Sequence, residues 1–325
     1  MSEILAVDLL KNLQAHQIWW DDSLEEPVNI RDETPPGEVE TDVEIKGEWI
    51  PIKTDRVDYR KKVVIVDGVR RIDAHLILGG TGRSALLGEF VVGAFSLEEG
   101  KVIKRINECV IVLPPGTHIK ETLIIGKAEY IPFSAGKATE EGLYSSFIQR
   151  MREKERELAY EFSQKGYIVI ADGPLQVPFS EVGVTLGFVK SIRRSYLGER
   201  HWSIVLNLKK GERTPIFLIR TSENLPPKYS WYLRLKEPKY FESPFFGLVR
   251  LEAPYTLELK EVQELAQFSG GFLPYIISSS TLSSRAPENL APLESLEKRL
   301  RAMFHPIDHI RATLRRMIAQ AYEEV

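Results

Sequence analysis

Val63-Val-Ile-Val-Asp67-Gly68 and Ile168-Val-Ile-Ala-Asp172-Gly173 are two apolar runs that each close on Asp-Gly, and this shared layout decides how the rest of the chain is read. A β-branched run without polar alternation is the pattern of a strand buried on both faces. Such a strand delivers its last side chain to a fixed position, and an Asp at its C-terminal tip escapes the core while keeping that precision. The glycine that follows permits a φ > 0 turn or the close approach of a ligand. Asp-Gly is also a favoured turn dipeptide, so either pair taken singly reads as a plain turn. The repetition favours one site shared by two strands.

Upstream of the second run, residues 140–165 carry helical periodicity that Gly166 ends. With Phe147 set at about 0° and about 100° per residue, Ile148, Met151, Leu158 and Phe162 define an apolar stripe between about 0° and 100°. Glu155 falls at about 80°, inside the stripe, while Glu153 and Glu157 fall on the opposite side. A carboxylate placed there needs a partner. A salt bridge to Arg152 or Arg156 is the structural reading and a metal ion the functional one; Glu157 is the fallback if the helix register differs.

Working outward, residues 2–16 read as a short amphipathic helix with Ile4, Leu5, Leu9 and Leu13 at helical spacing, and a polar, proline-bearing stretch follows over 21–37. Strand-like runs come next at 62–66, 71–78, 90–95, 109–113 and 122–125. After the long helix, the run at 167–171 is followed by a strand at 183–189. A β-rich section spans 203–251 with a turn at 209–212, and helices are expected near 259–268, 292–303 and 307–322. Strands, a crossing helix, then further strands and helices make a mixed α/β fold. We expect one elaborated domain over 1–325: an N-terminal helix and polar segment over 1–45, a core over 60–200, and a β-rich extension with C-terminal helices over 201–325.

Several function classes are excluded. Five strands without intervening helices rule out a regular doubly wound dehydrogenase. Gly79-Gly-Thr-Gly82 lacks the spacing of a phosphate loop and reads as a turn. Cys109 is the single cysteine and sits in an apolar run, which excludes a disulfide within the chain and a thiolate zinc cluster and points to a buried, inert thiol. The histidines are scattered, without a zinc-binding pair, and no Gly-x-Ser-x-Gly occurs. No signal-peptide layout and no apolar run long enough for a membrane span are present, so the expected location is cytoplasmic, with no membrane partner. The net charge of −3 does not announce a nucleic-acid binder, but residues 298–316 hold six Lys/Arg against one Asp. Lys298, Arg299, Arg301, Arg311, Arg315 and Arg316 are therefore a candidate local basic surface, with a solvated helix face as the plain alternative.

Asp67, Glu155 and Asp172 together form a hard oxygen donor set suited to Mn²⁺ or Mg²⁺. Two such ions about 4 Å apart activate water and stabilise the leaving oxygen of a phosphodiester. We therefore expect these three residues to be catalytic and metal-binding.

The Val-Asp67-Gly68 strand, the helix segment Arg152-Glu-Lys-Glu155, Ile-Ala-Asp172-Gly-Pro-Leu175 and the late segment Arg285-Ala-Pro-Glu-Asn-Leu-Ala-Pro292-Leu resemble the NurA nucleases in order and spacing, over about residues 60 to 300. The resemblance implies a ribonuclease H-like core, manganese, degradation of DNA from 5′ ends together with single-strand cleavage, a homodimer, and a hexameric HerA-type ATPase partner in end resection. It places Asp67, Glu155 and Asp172 as metal ligands and Lys190 near the scissile phosphate; Arg285 and Asn289 of its late segment, with Arg315 and Arg316 of the basic stretch, are the expected nucleic-acid contacts. Many archaeal members carry Tyr-Pro-x-Pro with a His five residues on; aligning the second Pro with Pro292 puts Asn289 at the Tyr and Glu297 at the His. That departure fits a bacterial branch and makes Glu297 a fourth catalytic candidate, against a plain i,i+4 pair with Arg301. A catalytically silent DNA-end-binding subunit and another ribonuclease H-like nuclease are the alternative functions. The N-terminal apolar stripe is the one local hint of self-association, with packing on the chain's own core as the equal alternative.

Overall fold

The run that opens at Val63 does not stop at Asp67-Gly68. It continues as one 16-residue strand to Leu78, merging two runs that the sequence pattern separates. In the computed structural model, which describes residues 2–19, 38–57, 62–79, 83–175, 183–190, 196–220, 227–279 and 287–323, every residue of this strand except Val63 and Asp73 pairs with the next strand. Asp67 faces Gly93 and Gly68 faces Val92 across that ladder. Asp67 therefore lies within a strand, not at its tip, and Asp67-Gly68 is not a turn. The partner strand overrides the local turn preference of the dipeptide, because each ladder hydrogen bond made there satisfies a backbone group that would otherwise be buried unpaired.

The N-terminal elements are α1 (Ser2–Asn12), β1 (Ala15–Trp19), β2 (Val39–Glu40), β3 (Ile52–Lys53) and the long β4 (Val63–Leu78). The helix expected over 2–16 thus ends early: Gln14 takes φ 51° and the chain turns into β1, which pairs with the far end of β4. β5 (Arg83–Ser96) and β6 (Lys101–Leu113) complete an antiparallel meander with β4, and β7 (Leu123–Ile125) and β8 (Ala128–Ser134) extend it. The β4–β5 ladder closes at Leu78↔Arg83, as the turn reading of 79–82 requires; residues 80–82 lie outside the described residues.

The crossing helix α2 (Glu140–Gln164) begins at a Thr139 N-cap, whose hydroxyl accepts from the Gly142 N–H, and carries Glu140 and Glu141 against the positive end of its dipole. It returns the chain to β9 (Ile168–Asp172), parallel to β4, and β10 (Thr185–Val189) lies parallel beside β9. Within the section read as β-rich stands a helix the sequence reading missed, α3 (Glu199–Leu206), followed by β11 (Glu212–Arg213), β12 (Phe217–Ile219), β13 (Lys228–Arg234) and β14 (Leu248–Pro254). The C-terminal part is α4 (Leu259–Phe272), a short 3-10 turn, α5 (Ala291–Arg301) and α6 (Ile307–Glu323).

All fourteen described strands join one mixed sheet, whose main path runs β2-β12-β13-β14-β10-β9-β4-β5-β6-β8-β7. α2 covers one face through Phe147, Met151 and Phe162 against Val64, Val66 and Val169. α4 and α5 cover the other through Leu265, Leu293, Leu296 and Leu300 against Ile65, Ile170 and Phe188. α1 and α6 pack together over the far end of β4 at Leu76 and Leu78. Leu9 and Leu13 are thereby buried within the chain itself, which spends the apolar stripe expected for self-association; the side chains of Ile4 and Leu5 lie outside the described residues.

Candidate metal centre

Alternation along β4 assigns its side chains to opposite faces. Asp67 shares a face with Ile65, toward α5, while Gly68 shares a face with Val66, toward α2. β9 ends beside Val66, since its register with β4 runs from Val63↔Ile168 to Val66↔Ala171. Asp172 is its last residue and shares the α5 face with Ile170. Gly173, at φ 90°, then turns the chain away, and its N–H donates to the Phe188 carbonyl at 2.9 Å. Glu297 arrives on α5, one position from the buried Leu296. The result is three carboxylates, from Asp67, Asp172 and Glu297, with one oxygen of each lying within 4.8 Å of the others.

Glu155 comes from the opposite layer and stands just outside that set. Its Oε1 lies 2.6 Å from where a Cβ on Gly68 would be, so the missing side chain is what lets the carboxylate in. It accepts the Gly68 N–H, and Arg152 and Arg70 lie near enough to favour its charged form. Arginines thus flank Glu155, and its charge is felt by Asp67 in the acidic cluster. Glu157, the alternative register, is exposed and pairs with Lys154 at 2.8 Å.

The charge balance is unfavourable without a cation. Burial raises the Asp67 carboxyl well above its ordinary range, and Asp172, Glu155 and Glu297 push it further the same way; Lys190 opposes them. Burial also lifts Glu155 to about 7 against the pull of Arg152. Lys190 Nζ meets Asp172 Oδ2 at 2.9 Å and donates to Asn289 Oδ1 at 3.1 Å. Asp172 Oδ1 is buried with no hydrogen-bond partner. An orphaned carboxylate oxygen beside two other carboxylates is a donor set fitted to a hard divalent ion.

These shifts set a pH dependence for metal-free protein. Both carboxyls bind their protons more tightly folded than unfolded, so the stability they contribute is present at low pH and is lost as pH rises, for Glu155 through about 7. Thermal melts in EDTA are expected to fall across that window, and added Mn²⁺ is expected to raise the melting temperature more at pH 8 than at pH 5. A Mn²⁺ effect equal at both pH values would contradict the assignment.

The remaining residues expected at the site are placed as follows. Asn289 is 4% exposed, and its amide is spent inside the protein: Oδ1 accepts from Lys190, and Nδ2 donates to Glu294 at 3.2 Å. This geometry fits the holding of Lys190 in place of the direct nucleic-acid contact expected from the sequence. Arg285 lies outside the described residues. Arg315 and Arg316 are exposed on α6, whose Leu314 and Met317 pack over Leu76 and Leu78, on the order of 30 Å along β4 from Asp67. They are not at the acidic cluster. Lys298 and Arg299 on α5 follow directly after Glu297, and the Arg299 guanidinium lies 5.6 Å from the centre of the Phe95 ring.

A second group, Glu89, Cys109 and His305, also has ligand atoms within 4.8 Å of one another. Here the Glu89 carboxylate already accepts from the His305 backbone N–H and Asn107, bonds His305 Nδ1 at 2.9 Å, and meets Arg71 at 3.1 Å. Arg71 also holds Asp73 at 2.6 Å and donates to the His305 carbonyl. Glu89 is satisfied by protons and lacks the orphaned oxygen of the first cluster. Burial pushes the Cys109 thiol up, in keeping with an inert sulfur. The sequence signal for this network was the pair of opposite charges in Arg71-Ile-Asp73 within a strand whose ends are apolar.

No family model matches the chain, and no curated protein matches it. Among solved structures it is similar to human endonuclease V at 13% identity and a TM-score of 0.30, over 81% of this chain and 93% of that one. The Ciona intestinalis endonuclease V, in complex with an inosine-containing DNA, matches at 11% identity and a TM-score of 0.32 over 78% and 92%. The Bacillus subtilis endonuclease V matches at 11% and 0.31 over 78% and 86%. TM-scores this low carry no argument about what the chain does; its mixed α/β architecture rests on its own sheet.

Proposed function

We propose that this chain is a divalent-metal-dependent nuclease acting on DNA, built on a ribonuclease H-like core of the kind its resemblance to NurA implies. The observation that carries the reading is the cluster of Asp67, Asp172 and Glu297 within 4.8 Å, with Asp172 Oδ1 buried and without a partner. The meander β4–β5–β6, the crossover through α2 and the parallel return at β9 support the core assignment.

Asp67, Asp172 and Glu297 would hold the ion, with Glu155 near them on the α2 side of the sheet over Gly68. At these residues Mn²⁺ or Mg²⁺ would supply water activation and charge stabilisation for phosphodiester hydrolysis. Lys190, fixed by Asn289, keeps an ammonium beside Asp172, where it can meet a phosphate oxygen. Burial lifts Glu155 to about 7 in the metal-free protein, and a cation bound beside it would favour its charged form. The action at 5′ ends, the homodimer and the HerA-type partner belong to the same proposal and rest on the resemblance alone.

The test is cleavage of fluorescently labelled duplex and single-stranded DNA with Mn²⁺, Mg²⁺, Zn²⁺ or EDTA. We expect cleavage with Mn²⁺ or Mg²⁺ and none in EDTA. Binding without cleavage under every metal would instead identify a silent end-binding subunit. Glu297→Gln is expected to cut the rate at least about tenfold, or ~1.4 kcal/mol of barrier. Wild-type turnover in that variant would return Glu297 to a surface role.

A further inference from the structure

The β13–β14 hairpin ends in a tip that the acidic cluster does not explain. Lys239-Tyr240-Phe241-Glu242 is a hydrogen-bonded turn: the Glu242 N–H donates to the Lys239 carbonyl at 2.9 Å, and the Glu242 carboxylate accepts the Lys239 N–H at 2.7 Å. Its two central positions, where Gly, Pro, Asn or Asp usually serve, hold Tyr and Phe. Tyr240 is 106% exposed and Phe241 81%. Nor is the base loose. Arg234, fully buried, donates to the carbonyls of Pro244 and Phe246, and Phe245 packs against Trp202 at 6.0 Å.

This rigid tip stands at the same end of the sheet as the acids. Asp172 pairs with Phe188, Phe188 with Leu251, and the hairpin loop leaves from Leu248, three residues beyond. Two strand spacings and three residues put the base of the loop on the order of 15 Å from Asp172. It is also tied there directly: the Gly247 N–H donates to Glu288 Oε1, and the next residue, Asn289, holds Lys190 on Asp172. The charges of the loop are sorted. Glu242 is spent on the turn and Glu237 accepts from the Lys210 backbone, while Lys236 and Lys239 are exposed.

We propose that Tyr240 and Phe241 form a base-stacking platform that seats single-stranded DNA leading into the acidic cluster, with Lys236 and Lys239 against its phosphates. The inference rests on the nuclease reading for the identity of the strand. Adjacent aromatic faces flanked by lysines are how sequence-tolerant single-strand sites are made. A second protein is the weaker fit: two rings offer about 300–500 Å² at most, short of the ~800 Å² per partner of a stable interface.

The test is equilibrium binding of a fluorescein-labelled oligo(dT) in EDTA, which separates binding from cleavage. Tyr240→Ala/Phe241→Ala is expected to weaken binding at least about tenfold with an unchanged melting temperature, and Tyr240→Trp/Phe241→Trp to retain it. Unchanged oligo(dT) affinity in the alanine pair overturns the proposal, as does a wild-type protein that does not bind oligo(dT). Unchanged affinity with a lower sedimentation mass would assign the tip to a second copy of the chain. The two readings fail separately. A wild-type protein that cleaves, with an alanine pair that binds normally, leaves the nuclease and removes the platform; aromatic-dependent binding without cleavage under any metal does the reverse.

Discussion

Asp67→Asn, Glu155→Gln and Asp172→Asn are each expected to lower metal-dependent cleavage at least about a thousandfold, ~4 kcal/mol of barrier, while leaving the fold intact. The expectation follows from the site having too much negative charge for its size: three carboxylates within 4.8 Å and a fourth behind Gly68. Removing one carboxylate charge takes away an ion contact that no neighbouring thiolate or histidine can replace. The same change relieves the repulsion that raises Asp67, so the metal-free Asp67→Asn protein is expected to melt no lower than wild type and to show a smaller Mn²⁺ shift. Cleavage within tenfold of wild type in Asp67→Asn would remove the site, and a collapsed melting temperature would show that the carboxylates serve the fold instead.

The largest stability effect is expected at Arg71. Its guanidinium faces Asp73 and Glu89, both fully buried, and donates to the backbone of His305 between α5 and α6. Burial already raises Asp73 despite Arg71 beside it, so removing the cation leaves two acids enclosed without their counter-charge. Arg71→Met should cost about 3–5 kcal/mol in urea unfolding. The loss should be smaller at pH 4 than at pH 8, since protonated acids no longer need the guanidinium. An Arg71→Met protein within ~0.5 kcal/mol of wild type would mean that water or a shifted side chain replaces the arginine. That outcome would disconnect this network from the placement of α5, and so of Glu297.

Much of the site was legible because its determinants are local. The apolar run before each Asp, and the position of Glu155 on the buried stripe of α2, are properties of a few consecutive residues. What local pattern could not show was where a strand continues: Asp67-Gly68 reads as an ending, and only pairing with β5 carries β4 on to Leu78. α3 was hidden for a similar reason, since His-Trp-Ser-Ile-Val-Leu carries strand-forming residues and becomes helical where Val205 packs with Trp49, Phe217 and Tyr232. The approach of Glu297 and the burial of Asn289 depend on α5 docking across the sheet, a contact between segments far apart in the chain. The aromatic tip was overlooked because Tyr-Phe within a β-rich stretch reads as core.

Gly68 has a consequence for how the centre could drift in evolution or by design. A sheet normally acts as a septum, and chemistry assembled on one side is insulated from the helices on the other. Here the absent side chain at Gly68 lets a carboxylate of α2 settle against the sheet, close enough for its charge to act on Asp67 on the other face. A Cβ at position 68 would sit 2.6 Å from Glu155 Oε1 and 3.1 Å from Met151 Sδ, so the Glu155 carboxylate would have to withdraw. The smallest possible enlargement of this chain, one carbon on a residue with no chemistry of its own, would thus loosen the hold of α2 on a charge group assembled on the other face of the sheet.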